Sequence, residues 1–337
     1  MMDEDKVLEL LELSEKRRDA RRAFLRSGSA AAIAAGGVTL LSGCFEDGNN
    51  NNSGNTPAPQ TPAPPPPPPA TGAITDQDIL NFALNLEYLE AQFYSYAAFG
   101  TGLPENLLGG TGTRGQVIGG AKVNFTDPVV AAYAREIAMD ERQHVAFLRQ
   151  AIGATAVAQP AIDVGVSSLS AFSAAARAAG LIGPGEVFDP YANDENFLLG
   201  AYIFEDVGVT AYKGASPLIT SKTFLEAAAG ILAAEAYHAG LVRTVLYGKG
   251  IQTPALVTAT EKISDARDSL DDPSDKDQGV MQRGLASNIV LADANAIAYS
   301  RSAGDVLNIV YLTAAAASQG GFFPAGVNGT IRMSTAG

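Results

Sequence analysis

Between residues 74 and 250, apolar residues recur at alternating spacings of four and three, the mark of helices that each bury one face. Four long stretches carry this pattern. Helix A runs over 75–99, with Thr75 as its capping candidate and Asp76 and Asp78 in the first turn. Helix B starts at Thr126 or Asp127, with Pro128 in the first turn, where its missing N–H leaves no bond unmade, and it reaches 152. Helices C and D cover 193–212 and 221–248, and shorter helices are expected at 167–179 and 301–313. Two tight connections flanking a long one predict an all-α four-helix bundle over 74–250, with a long crossover between its second and third helices. An extended C-terminal region, 251–337, is expected to pack on that bundle, its Phe322-Phe323-Pro324 stretch forming a packed lid or an interface strip.

The polar residues that interrupt the apolar seams carry the chemistry. Helix B reads Val130, Ala134, Ile137, Glu141, His144, Leu148, Ala151 along one face, and helix D reads Phe224, Ala228, Ile231, Glu235, His238, Val242, Val245. Residues three apart share a helix face, so each Glu-x-x-His pair points inward. Helix A reads Leu80, Leu84, Glu87, Ala91, Tyr94, Ala98, and helix C reads Leu198, Tyr202, Glu205, Val209, Tyr212. The chain thus repeats one arrangement: Glu-x6-Tyr followed by Glu-x2-His, twice. Glu87 is favoured over Glu90, one turn further on, because only Glu87 matches the spacing of helix C. Glu90 is left as a partner to the ligands or a surface residue. Tyr94 and Tyr212 are core residues or hydrogen-bond donors that orient ligands. Asp206, Lys213 and Arg301 read mainly as structural residues.

Burying four carboxylates costs several kcal/mol for each unpaired ion, against a total stability of about 5–15 kcal/mol. No Lys or Arg lies on these stripes to neutralise them. Two divalent cations would, with both imidazoles neutral, and a set of carboxylate oxygens and imidazole nitrogens suits Fe or Mn, with Zn less suited.

Composition narrows the alternatives. The chain has 337 residues, a net charge of −13, two His and one Cys. Such acidity excludes a nucleic-acid partner, which needs a basic face. The single Cys excludes disulfides within the chain, Cys-rich zinc sites, iron–sulfur clusters and the Cys pairs of a rubredoxin-like module.

The first 43 residues read as a signal segment. Arg21 and Arg22 precede Phe24-Leu25 and a mildly apolar run, too short to span a bilayer, in the manner of a twin-arginine export signal. Leu41-Ser42-Gly43-Cys44 resembles a lipobox, which makes Cys44 the lipid-bearing residue after cleavage. Residues 44–73, rich in Asn and then Pro, form a tether whose Pro-rich part alone spans about 45 Å as polyproline II. The partners expected are therefore the export machinery and a membrane held through the lipid, with the protein periplasmic or on the cell envelope.

Asn85-Leu86-Glu87 with Tyr94, the stretch Glu205-Asp206-Val207-Gly208-Val209-Thr210-Ala211-Tyr212-Lys213-Gly214, and the end Gly320-Gly321-Phe322-Phe323-Pro324-Ala325-Gly326-Val327-Asn328-Gly329 resemble the ferritin-like, desiccation-related proteins. The resemblance covers about 74–330. It implies a ferritin-like bundle and makes Glu87, Glu141, His144, Glu205, Glu235 and His238 the ligands of a dinuclear centre. Two functions follow as expectations. One is an oxidase, peroxidase or catalase type of oxidoreductase acting on dioxygen or peroxide. The other is a non-enzymatic envelope protein of the stress response, with a structural metal or none. A closed iron-storage shell fits poorly with the anchor and tether, and the oligomer is left open, a dimer among the states compatible with them.

Overall fold

The computed structural model describes residues 73–336. The signal segment, with Arg21, Arg22 and Cys44, and all of the tether but residue 73 lie outside the described residues. Helix α1 (Asp76–Phe99) begins with a reciprocal cap: the Asp78 N–H donates to Thr75 Oγ1 at 3.2 Å, and the Thr75 N–H donates to Asp78 Oδ2 at 2.9 Å. It ends where Gly100 adopts φ 77°, a left-handed conformation that glycine takes without strain. Helix α2 (Pro128–Ile152) is capped by Asp127, whose carboxylate accepts from the Val129 N–H at 2.9 Å. Next come α3 (Ala171–Ala178), α4 (Asp194–Ala215) and α5 (Lys222–Gly250). The helices α1, α2, α4 and α5 form the bundle, α1 packing along α2 and α4 along α5, with the two pairs joined through α1–α4 and α2–α5 contacts.

The long crossover over 153–193 is present and holds α3, but the first connection differs from expectation. Residues 100–127 are no tight turn. They wrap back over the bundle and contribute β1 (Val117–Gly119), which pairs in parallel with β2 (Ile162–Val164) from the crossover. Glycine makes this approach feasible: a Cβ on Gly115 would lie 2.0 Å from the Ala161 nitrogen. Two strands of three residues carry no alternation long enough to read, so nothing in the chain signalled them.

The C-terminal region adds α6 (Pro254–Asp268), which the sequence reading left unassigned, and α7 (Ala303–Tyr311). It encloses the bundle. Phe322 and Phe323 are fully buried, and the Phe322 ring meets Phe172 and Phe204 edge-on at 5.2 and 4.9 Å. Asn85, buried inside α1, clasps the end of the chain through Nδ2–H to Asn328 O and Oδ1 from the Asn328 N–H, both 2.9 Å. This covering explains why α1 and α4 are buried nearly all round instead of along one stripe. No helix among the described residues is long and apolar enough to cross a membrane.

The buried arginines are structural. Arg243 and Arg267 both pair with Asp206, at 2.7 and 3.1 Å. Arg301, fully buried, is held between Asp271 and Asp277 and donates to Thr210 Oγ1 at 3.0 Å. They tie α4 and α5 to the C-terminal region, and Lys213 donates to Ser300 Oγ in the same way.

Candidate metal centre

Glu87 from α1, Glu141 and His144 from α2, Glu205 from α4, and Glu235 and His238 from α5 come together inside the bundle. The four carboxylates and His238 are buried, and His144 keeps 12% of its side chain exposed. Two donor groups can be drawn among them, each offering atoms within 4.8 Å of one another. The first is Glu87, Glu141, His144 and Glu235; the second is Glu205, Glu235 and His238. Glu235 belongs to both. Glu141 also faces both imidazoles, with Oε2 3.6 Å from His144 Nδ1 and Oε1 3.0 Å from His238 Nδ1. The two rings lie 6.1 Å apart, centre to centre.

The tyrosines sit crosswise. Tyr94 of α1 donates its O–H to Glu205 Oε1 of α4, and Tyr212 of α4 donates to Glu87 Oε1 of α1. Each outer carboxylate thus has one oxygen fixed and the other directed inward. In the site, both oxygens of Glu141, both of Glu235, Glu205 Oε2 and His238 Nδ1 are buried without a hydrogen-bond partner. Buried polar atoms are rarely left so. Here they gather into the two donor groups, as ligand atoms do.

Electrostatics without metal leads to the same conclusion. Burial first, and then neighbouring carboxylates, pushes Glu87 up to about 8 and raises Glu235 and Glu205 despite their nearby imidazoles. For Glu141 burial acts in the same direction but is outweighed by His144 and His238, which hold it well below the usual carboxylate range. Burial would lower both histidines, yet Glu87 and Glu141 raise His144, and Asp140 and Glu141 lead the groups that raise His238. Protons take the place of cations in such a site. Oxygen and imidazole donors with no thiolate make a set able to hold metal.

Glu90 belongs to neither donor group. It is 6% exposed, so it is no surface residue. Burial, then the charge of Glu235, raises it well above the ordinary range. Asp140 was missed: its Oδ2 lies 3.5 Å from His238 Nε2, on the far side of the ring from Glu141. Only its position next to Glu141 could have hinted at this, because it lies off the apolar stripe.

The family model for the ferritin-like domain matches residues 75–248. A desiccation-related protein of Craterostigma plantagineum is 32% identical over 266 residues, covering 74% of this chain and 82% of that protein. A ferritin-like catalase of Nesocodon mauritianus is 29% identical over 272 residues, covering 76% of this chain and 84% of that protein. No solved structure matches the chain.

Proposed function

The chain belongs to the ferritin-like domain family, and from that premise we propose that it is an exported, lipid-anchored protein whose dinuclear Fe or Mn centre acts on dioxygen or hydrogen peroxide. The observation that carries the proposal is the set of six buried ligand atoms without hydrogen-bond partners, facing one another across two Glu-x-x-His pairs. Glu141 and Glu235, with both oxygens uncommitted, are the carboxylates suited to link two ions. Glu87 and His144 would complete one ion's set, and Glu205 and His238 the other's. Bound there, two such ions supply paired one-electron redox changes, the chemistry that reduces or dismutes a two-oxygen oxidant.

The protein's own contribution is orientation and exclusion. Tyr94 and Tyr212 fix the outer carboxylates so that one oxygen of each points inward. Asp140 accepts from the outer face of His238 and so turns Nδ1 to the centre. Burial keeps bulk water from the carboxylates and makes their unpaired charge costly, so that a bound cation is favoured as their partner. The anchor at Cys44 and the export signal at Arg21 and Arg22 place this chemistry at the cell envelope.

The catalase-named relative supports the enzymatic reading, and the desiccation-related relative supports a second: an envelope protein whose metal only holds the bundle together. Oxidant turnover separates them. The full chain loaded with Fe(II) or Mn(II) is expected to consume hydrogen peroxide or dioxygen catalytically, and Glu141→Ala/His238→Ala to lose that activity. Bound metal that stays inert toward both oxidants would leave the second reading standing.

A further inference from the structure

Gly208 lies in the middle of α4, where glycine costs roughly 1 kcal/mol relative to alanine. A Cβ at that position would stand 2.7 Å from Glu235 Oε2 and 3.5 Å from Glu90 Oε1. The missing side chain therefore leaves a gap into which two buried carboxylates project, one a candidate ligand and the other not. Behind the gap is a cavity of about 20 Å³, bordered by Glu90, Gly208 and Phe204 from the bundle and by Ile309, Val310 and Phe322 from the C-terminal region. A single water needs about 10–15 Å³ measured in this way, so the space suits a molecule of one or two heavy atoms and no organic substrate.

The walls are apolar apart from Glu90, and the C-terminal wall is held in place. The Phe322 N–H donates to Val310 O at 2.9 Å, and Phe322 O accepts from the Asp163 N–H at 2.9 Å, while its ring packs on Phe172 and Phe204. Glu90 is the one polar side chain among the lining residues, so its carboxyl group is what a polar occupant would meet.

We infer that this cavity is a chamber for the two-oxygen oxidant, dioxygen or hydrogen peroxide, which enters the dinuclear centre past Gly208 with Glu90 as its hydrogen-bonding contact. The apolar walls suit a small neutral molecule, and Gly208 borders both the chamber and the Glu235 side of the centre. The C-terminal region, which supplies no candidate ligand, thereby has a role: α7 and Phe322 close the chamber. This inference rests on the dinuclear reading above.

Xenon and the oxidants probe it separately. In the metal-free full chain, xenon is expected to shift the Ile309 methyl resonances saturably, and Val310→Leu, which fills the space, to abolish the response. In the metal-loaded chain, Val310→Leu is expected to keep the wild-type metal content while the KM for the oxidant in use rises about tenfold or more. Peroxide and dioxygen run as separate arms show which one occupies the chamber. Val310→Ile is the smaller filling variant if Val310→Leu fails to fold. A xenon response untouched by filling, or an unchanged KM in both arms, overturns the chamber. Wild-type protein that binds metal and xenon but turns over neither oxidant overturns the proposed function and the chamber's oxidant role together.

Discussion

Metal removal should reverse the ordinary benefit of raising pH from acid to neutral. Glu87 titrates at 4.5 when unperturbed and is pushed up to about 8 in the metal-free fold. Between those values the folded chain holds a proton that the unfolded chain has released, so stability falls as pH rises. At 1.36 kcal/mol for each tenfold change in proton affinity, the full difference is about 5 kcal/mol, spread over a pH window from about 4.5 to 8. The raised Glu205 and Glu235 and both histidines act in the same direction as pH climbs toward their folded values. Glu141, held low, opposes them only below about 4.5, where its pairing with the imidazoles is lost as pH falls. For a domain of this size, 1 kcal/mol moves Tm by about 2–4 °C, so even half of the Glu87 effect lowers Tm by about 5–10 °C. The assay is thermal unfolding of chelator-treated full chain from pH 5 to 8, beside metal-loaded chain and Glu87→Gln. The metal-free Tm should fall across the window, the loaded protein should show the fall weakened or absent, and Glu87→Gln should flatten the metal-free curve. A metal-free Tm that is level or rises over pH 5–8 would refute the argument, since the carboxylates could not then be buried and protonated as described.

Other consequences follow from single contacts. Asp140→Asn leaves His238 without its carboxylate partner and should weaken metal binding about 10–100-fold in a chelator competition, with Asp140→Glu restoring part of it. Tyr94→Phe and Tyr212→Phe each strand one buried carboxylate oxygen, so each should cost about 1–3 kcal/mol in denaturant unfolding. Arg301→Met leaves Asp271 buried without its guanidinium and Asp277 with Arg267 alone, and should cost about 3–5 kcal/mol by the same measurement.

The bundle was legible because each of its helices keeps a 4-3 apolar stripe for about four turns or more, and the site was legible because Glu and His interrupt those stripes in register. Thr75 and Pro128 marked two of the helix starts, and Asn193 and Ser221, where the other two were expected to begin, are caps in the structure. What escaped the sequence lies in contacts between distant segments. Gly115 is an unremarkable loop glycine until Ala161 is brought against it, and Phe322 is one aromatic among many until Phe172 and Phe204 close around it. Helix α6 carries Thr260, Ser264 and Arg267 on its buried side, polar residues that blur the apolar period and find partners elsewhere in the chain. Asp140 and Glu90 sit off the stripes for a related reason: their importance comes from the far side of a ring and from a glycine on another helix.

The central claim is that the inward Glu and His hold two cations. Elemental analysis of the full chain after reconstitution with Fe(II) or Mn(II), beside Glu141→Ala/His238→Ala, tests it most directly. About two metal ions per wild-type chain, lost in the variant while its helical content persists, is the predicted result. Folded wild-type chain that takes up no metal, or a variant that retains as much as the wild type, would contradict it.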